Sequence, residues 1–223
     1  MAINSLKMLS ISELEDVMND IYLKTDESKI PWNIPEIPEQ LIALLKNYQI
    51  KDRKTLEIGC GLGHYSLWLA GKGFDVTGID VSSIAVQNAV KKAKDHKLKC
   101  RFITGGFPET KELSGEKFDF IFDWEVLHHI GFGDRGNYFR KVADLLNEHG
   151  FYYSVSFNEK DPFPGGTGKI RRTHMGTTLY FASLNELEDQ LNAHFDFVFI
   201  RTEIIAGRQN PHVANTFLAR KKS

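Results

Sequence analysis

Between Lys54 and Ala70 the chain reads KTLEIGCGLGHYSLWLA, with a carboxylate and three glycines set between two apolar runs. The spacing is Glu57-x-Gly59-x-Gly61-x-Gly63. Glycines at the end of a strand let the backbone turn sharply and come close to a ligand. The helix that follows offers free amides with partial positive charge. This spacing departs from the G-x-G-x-x-G of dinucleotide sites. Glu57, inside the strand, repels a pyrophosphate but can accept from a cationic amino group, directly or through water. A second acid, Asp80, ends the next strand in VTGIDVS. A carboxylate there can accept both hydroxyls of a ribose; its other reading is a cap for the helix starting near Ser83.

A second group of candidates lies in FDFIFDWEVLHHIGFGDRGNYFRKVADLL. His128 and His129 follow a strand, and His128 can serve as a base or orient a substrate; the plainer reading is a packed helical turn. Adjacent histidines do not share a helix face, so a two-histidine metal site is not expected. Arg135 opens a helix, where its charge opposes the dipole, which suggests that it meets an anion. Tyr138 faces the same side one turn later. Trp32, set among Pro31, Pro35 and Pro38, reads as the wall of a lid. The glycine-rich, basic stretch NEKDPFPGGTGKIRRTHMGTTLYFASL holds Lys169, Arg171, Arg172 and His174 and reads as a mobile flap over the acceptor. It is not a P-loop: Phe163 stands where glycine is needed and Ile170 where Ser or Thr must hold magnesium. His212, before the last strand, is placed to edge the pocket.

These side chains need elements to hold them. An amphipathic helix is expected in SISELEDVMNDIYL, capped by Ser10 or Ser12, and another at Glu39 to Asn47. From Lys54 strands and helices alternate: strands TLEIGC, DVTGIDV, CRFITGG, FDFIFDW and FYYSVSF, and helices HYSLWLAGKG, SIAVQNAVKKAKDH, RGNYFRKVADLLNEHG (with Gly150 past its end) and SLNELEDQLNAHF. That alternation predicts a parallel sheet covered on both faces. The last strands, DFVFIRTEI and VANTFLAR, are joined by too short a link for a crossover helix and should pair antiparallel. The expected architecture is a single α/β domain: a Rossmann-like, doubly wound, seven-stranded sheet over residues 51–223, with a helical, proline-containing lid over residues 1–50.

Bulk properties bound the function. The 223 residues suit one core, with 42% hydrophobic and 26% charged residues. Lys plus Arg number 28 against 29 Asp plus Glu, so no overall field attracts nucleic acid or an anionic membrane. Two cysteines, Cys60 and Cys100, are too few for a disulfide framework or a zinc site, and no metal is expected. Neither a signal-peptide pattern nor an apolar run long enough to span a bilayer is present, so a cytoplasmic location is expected.

A ribose, a cationic amino-acid end and no pyrophosphate together describe S-adenosylmethionine. The loop LEIGCGLG with the acidic GID after it strongly resembles the class I methyltransferases that use this cofactor. The resemblance runs from about Thr55 to the C-terminus and implies seven strands with the last antiparallel. Within that class, Asp123 and Asp134-Arg135-Gly136-Asn137-Tyr138, with the N-terminal IPWNIPEIP, are most similar to the thiopurine, methyl-halide and tellurite-resistance group. The resemblance implies cofactor contacts at Trp32, Glu57, Gly59, Cys60, Gly61, Gly63, Asp80, Val81, Gly106, Phe107, Asp123 and Trp124. It implies catalytic roles for Arg135, His128 and Tyr138, and a small-molecule methyl acceptor. One departure is Gly105-Gly106, where many such enzymes place an acid for the adenine amino group; backbone and Phe107 are expected to hold the base instead. The corner Asp123-Trp124-Glu125-Val126 also lacks the Pro-Pro-aromatic of nucleic-acid amino methyltransferases. The alternatives are an NAD-dependent oxidoreductase, a non-catalytic binding module for the same cofactor, and a methyltransferase acting on protein or RNA.

Overall fold

Alternating apolar residues build the sheet. A computed structural model describes residues 6–50, 53–166 and 168–222; the first five residues, Thr167 of the flap and the start of the expected core at residue 51 lie outside the described residues. Among the described residues nine strands form: β1 (Lys54–Ile58), β2 (Asp75–Asp80), β3 (Cys100–Thr104), β4 (Phe118–Trp124), β5 (Leu146–Phe157), β6 (Ile170–Arg172), β7 (Thr178–Tyr180), β8 (Phe195–Ile205) and β9 (His212–Lys221). Seven make one sheet in the order β3-β2-β1-β4-β5-β9-β8, while β6 and β7 form a separate hairpin. β1 to β5 run parallel and β9 lies antiparallel to both β5 and β8. This is the expected α/β Rossmann-like sheet with its antiparallel end.

The period of two along each strand separates two apolar layers. Leu56, Ile58, Ile121 and Tyr152 pack with Phe139, Val142, Leu187 and Leu191. The last four come from α5 (Arg135–Leu145) and α6 (Leu184–Leu191). On the other face Phe120, Phe122, Tyr153 and Val155 pack with Leu41, Leu44, Leu45 and Leu69. Those four come from α2 (Glu39–Asn47) and α3 (His64–Gly71).

Local signals set the helix starts. Ser10 caps α1 (Ile11–Lys24) through a capping box with Glu13, and Ser183 caps α6 the same way with Glu186. Ser82 caps α4 (Ser83–Asp95), accepting from the Ala85 N–H. The cap of α4 is therefore Ser82 and not Asp80.

Two expectations need correction. The helix expected to run to Gly150 ends at Leu145, and Leu146 already pairs with Phe118. The register slips between Phe118 and Phe120, and Asn147 donates to Asp119 Oδ1 at 2.7 Å. A Cβ on Gly150 would stand 3.1 Å from the Asn147 carbonyl and 3.2 Å from that of Asp119. The glycine marks a close approach at an irregular strand, where helix termination was expected. The expected flap contains the β6–β7 hairpin, and two of its four basic residues, Lys169 and Arg171, are engaged. Arg171 donates to the carbonyls of Glu159, Asp161, Phe163 and Gly168, and Lys169 pairs with Glu186 and Glu159.

Candidate active site

In an open parallel sheet, ligands bind beyond the carboxyl ends of the strands. A cavity of about 580 Å³ opens there. Its floor is the turn after β1. Gly59, Gly61 and Gly63 have φ of 71°, 49° and 78°, in the left-handed region that disfavours side chains. The N–H groups of Gly59 and Cys60 both donate to the Ile79 carbonyl, at 2.7 and 3.0 Å, fastening the turn to β2.

Glu57 lies on the face of β1 toward α3. Ser66 of α3 donates to its Oε2 at 2.5 Å. No protein donor reaches Oε1 among the described residues, and Glu57 lines the cavity. Burial raises its pKa to about 8, against the pull of the Ser66 hydrogen bonds. Asp80 accepts from the Gly61 N–H through Oδ2 and from the Ser82 N–H through Oδ1, both at 2.8 Å. Burial pushes its carboxyl above the usual range despite those bonds. Neither acid has an ion-pair partner among the described residues.

The N-terminal segment closes over this floor. Trp32 donates through Nε1 to the Tyr22 hydroxyl at 3.0 Å. That hydroxyl would lie 2.8 Å from a Cβ on Gly61. Ile11 of α1 packs so closely on Gly106 that a Cβ there would meet its Cγ2 at 2.4 Å. Asn33 Oδ1 meets His64 Nε2 at 2.8 Å. Arg208, from the loop between β8 and β9, donates to the carbonyls of Ser28 and Asn33.

Most of the expected cofactor residues come together around the cavity: Trp32, Glu57, Gly59, Cys60, Gly61, Asp80, Val81, Gly106, Phe107 and Trp124 all line it. Gly63 and Asp123 do not. Gly63 is the left-handed N-cap of α3, and a Cβ there would strike Phe102 and Ala89, so it serves packing beneath the loop. Asp123 is fully buried under the cavity. It accepts from Tyr138 (3.1 Å), Tyr152 (2.6 Å) and Ser154 (2.8 Å). Burial raises its pKa to about 6, and those three donors hold it down from going further.

The catalytic expectations fare differently. Arg135 has no exposed surface and does not line the cavity. It donates to the carbonyls of Ile130, Leu127 and Tyr180, and its guanidinium lies over the Tyr180 ring at 4.8 Å. These bonds tie the turn after β4 to the hairpin, and Nη1 is buried with no partner among the described residues. Tyr138 lines the cavity, but its hydroxyl is committed to Asp123. His128 lines the cavity, stacked on Phe157 at 4.3 Å, and burial holds it neutral, far below the usual histidine range.

Several lining residues carried no recognisable signal in the sequence. Tyr22, Tyr65 and Glu125 are the clearest. Glu125 adopts φ 61°, a strained conformation for a non-glycine residue. Burial lifts its carboxyl to about 7, against the charge of His212. An acid just past the active-site strand, beside two histidines, was the available hint.

Residues 55–150 match the family described as a methyltransferase domain. Ubiquinone biosynthesis O-methyltransferase from Pelagibacter ubique is 29% identical over 133 residues, covering 58% of this chain and 54% of that protein. The chain thus spans about half the length of the curated relatives it matches. Among solved structures, 1,6-didemethyltoxoflavin-N1-methyltransferase from Burkholderia thailandensis superposes with a TM-score of 0.69 at 19% identity, over 98% of this chain and 93% of that one. TehB from Haemophilus influenzae gives a TM-score of 0.67 at 20% identity, over 92% and 67%. The seven-stranded, mostly parallel sheet with its antiparallel end agrees with these matches. Residues 55–150 therefore match a methyltransferase domain, and the chain has the fold of the class I S-adenosylmethionine-dependent methyltransferases.

Proposed function

We propose that this chain binds S-adenosylmethionine and transfers its methyl group to a small-molecule acceptor. The observation that carries the proposal is the pair of buried acids, Glu57 and Asp80, facing one cavity on either side of a bare-backbone turn with no basic partner. The donor set fits the cofactor. Glu57 Oε1 is free to accept from an ammonium group, and each Asp80 oxygen keeps acceptor capacity for a ribose hydroxyl after its single N–H bond. Gly106 and Phe107 line the side expected to hold the base. A pyrophosphate over this turn would face the acid Asp80 and gain no basic side chain from the turn itself, which argues against a nicotinamide coenzyme.

When bound, the cofactor supplies a methyl group on an already activated sulfonium leaving group. The protein's task is then alignment and the exclusion of water. Trp32 and Tyr22 of the N-terminal lid, with Ile11 over Gly106, close the cofactor end. Trp124, Phe157 and Phe163 wall the other end, where an acceptor would lie. That apolar wall, the balanced charge of the chain and its likeness to relatives named for ubiquinone biosynthesis and toxoflavin support a small organic acceptor over protein or RNA. No helix among the described residues is long and apolar enough to cross a membrane.

The test is label transfer. Purified protein incubated with methyl-labelled S-adenosylmethionine and a small-molecule extract should yield labelled product that passes an ultrafiltration membrane. Label found only in retained protein or RNA would replace the acceptor class. No label in any fraction, with cofactor binding intact, would favour a non-catalytic module.

A further inference from the structure

The antiparallel β9 brings a residue to the cavity from the far end of the chain. Because β9 runs against β5, its first residue, His212, lies at the edge of the sheet where the parallel strands end. His212 lines the cavity and stacks on Phe157 at 4.5 Å; His128 lies against the same ring at 4.3 Å. Its Nδ1 lies 3.2 Å from Oδ2 of Asp161, which is 1% exposed. A carboxylate only accepts, so Nδ1 carries the hydrogen and Nε2 is left as the basic nitrogen. Nε2 has no protein partner among the described residues.

The acid is held firmly. Oδ1 of Asp161 accepts from the Phe163 N–H at 2.8 Å, and Oδ2 from the Val213 N–H at 2.5 Å. Its own carbonyl accepts from Arg171, whose guanidinium gathers three further carbonyls of the same loop. Four hydrogen bonds from one buried arginine fix the segment that aims Asp161 at His212.

We infer that His212, oriented by Asp161, is the general base of the transfer, and that the acceptor carries a removable proton on oxygen or nitrogen. The inference rests on the methyl-transfer reading above and narrows its substrate class. Nε2 takes the proton from the acceptor's O–H or N–H. The freed electron pair forms the new bond to the methyl carbon, the carbon–sulfur bond breaks with its pair remaining on sulfur, and the proton leaves His212 for solvent. A thiolate or halide acceptor would need no such dyad. The titratable groups facing His212 are Asp161 from the β5–β6 connection and Glu125 and His128 from the turn after β4; His174 and Arg208 line the same cavity. Burial pulls His212 down, and the hydrogen bond and charge of Asp161 outweigh it, so its pKa lies above the usual histidine value.

Four measurements test this. Imidazole nitrogen NMR with S-adenosylhomocysteine bound should show His212 protonated at Nδ1 and bare at Nε2 above its pKa; the opposite tautomer would overturn the assignment. His212→Asn keeps a donor toward Asp161 while removing the base. It should retain S-adenosylhomocysteine affinity within twofold yet cut label transfer from the small-molecule extract by about a hundredfold or more. Asp161→Asn should lower transfer about tenfold or more at unchanged cofactor affinity. At saturating S-adenosylmethionine, which removes the pH dependence of cofactor binding, wild-type transfer should rise with pH to a plateau, and His212→Asn should lose that limb while Glu125→Gln keeps it. A His212→Asn variant as active as wild type, or loss of the limb in Glu125→Gln alone, overturns the inference and leaves the methyltransferase reading standing. A wild-type protein that transfers no label overturns that reading itself, and the base assignment with it.

Discussion

Arg135 brings a full charge to a place with no exposed surface and spends it on three carbonyls from two separate segments. Arg135→Ala should therefore destabilise the fold by about 2–4 kcal/mol, since several buried carbonyls lose their donor together. Chemical denaturation would read this as a lower midpoint, and the variant that remains folded should bind S-adenosylhomocysteine normally. Full stability with a defect confined to turnover would return Arg135 to the substrate. The sequence showed a charge badly placed for the helix dipole but could not show what it met, because Leu127 and Tyr180 reach it only through the fold. Glu57 was legible for the opposite reason: its neighbours in sequence define the turn it serves. It also makes a pH test. In the free protein its carboxyl is mostly protonated below about pH 8. An ammonium group beside it favours the ionised form, so binding must release a proton below that pH. S-adenosylhomocysteine affinity should rise as pH increases toward 8, by up to about tenfold per unit, and level off above. Titration in two buffers of different ionisation enthalpy would count the proton. Affinity flat between pH 6 and 8 would mean that Glu57 does not meet the ammonium.

Among the elements, α1 is seated by a close steric contact. Its position on the core is set by Asn19, whose Oδ1 accepts from Ser82 Oγ at 2.8 Å, and by Ile11 pressed on Gly106. Gly106→Ala adds a methyl where Ile11 already sits. It should lift the start of α1 and weaken S-adenosylhomocysteine binding about fivefold or more. Adding Ile11→Ala to that variant removes the clash and should recover most of the loss, so the two changes combine non-additively. Simple addition of their effects would show that Gly106 does not seat the lid. Helix starts were readable because a cap is a local event: Ser10 with Glu13 and Ser183 with Glu186 are three residues apart. The end of α5 was not. Leu146 leaves the helix to pair with Phe118, a partner chosen by the sheet, and the usual glycine stop at Gly150 serves a strand irregularity instead.

At the scale of the molecule, the sheet order brings the two halves of the cavity to one edge. The carboxyl ends of β1 and β2 supply the acids, Glu57 and Asp80. The ends of β4 and β5, the hairpin and the β8–β9 loop supply the aromatic and histidine wall. The alternation of strands and helices was enough to foresee the parallel sheet, and the short final link foretold the antiparallel end. The second half of the cavity was far less legible. Asp161 and His212 stand 51 positions apart and meet only because β9 reverses direction beside β5. Arg208 reaches the N-terminal segment across a separation of 180 residues. No local pattern encodes such pairs.

The central claim is that two unpaired acids around a glycine turn select a cationic nucleoside over a phosphate-bearing one. Isothermal titration of the purified protein with S-adenosylhomocysteine and, separately, with NAD tests it most directly. The expected result is saturable heat with the first, lost by more than tenfold in Asp80→Ala, and none with the second. Saturation by NAD with no heat from S-adenosylhomocysteine would contradict it.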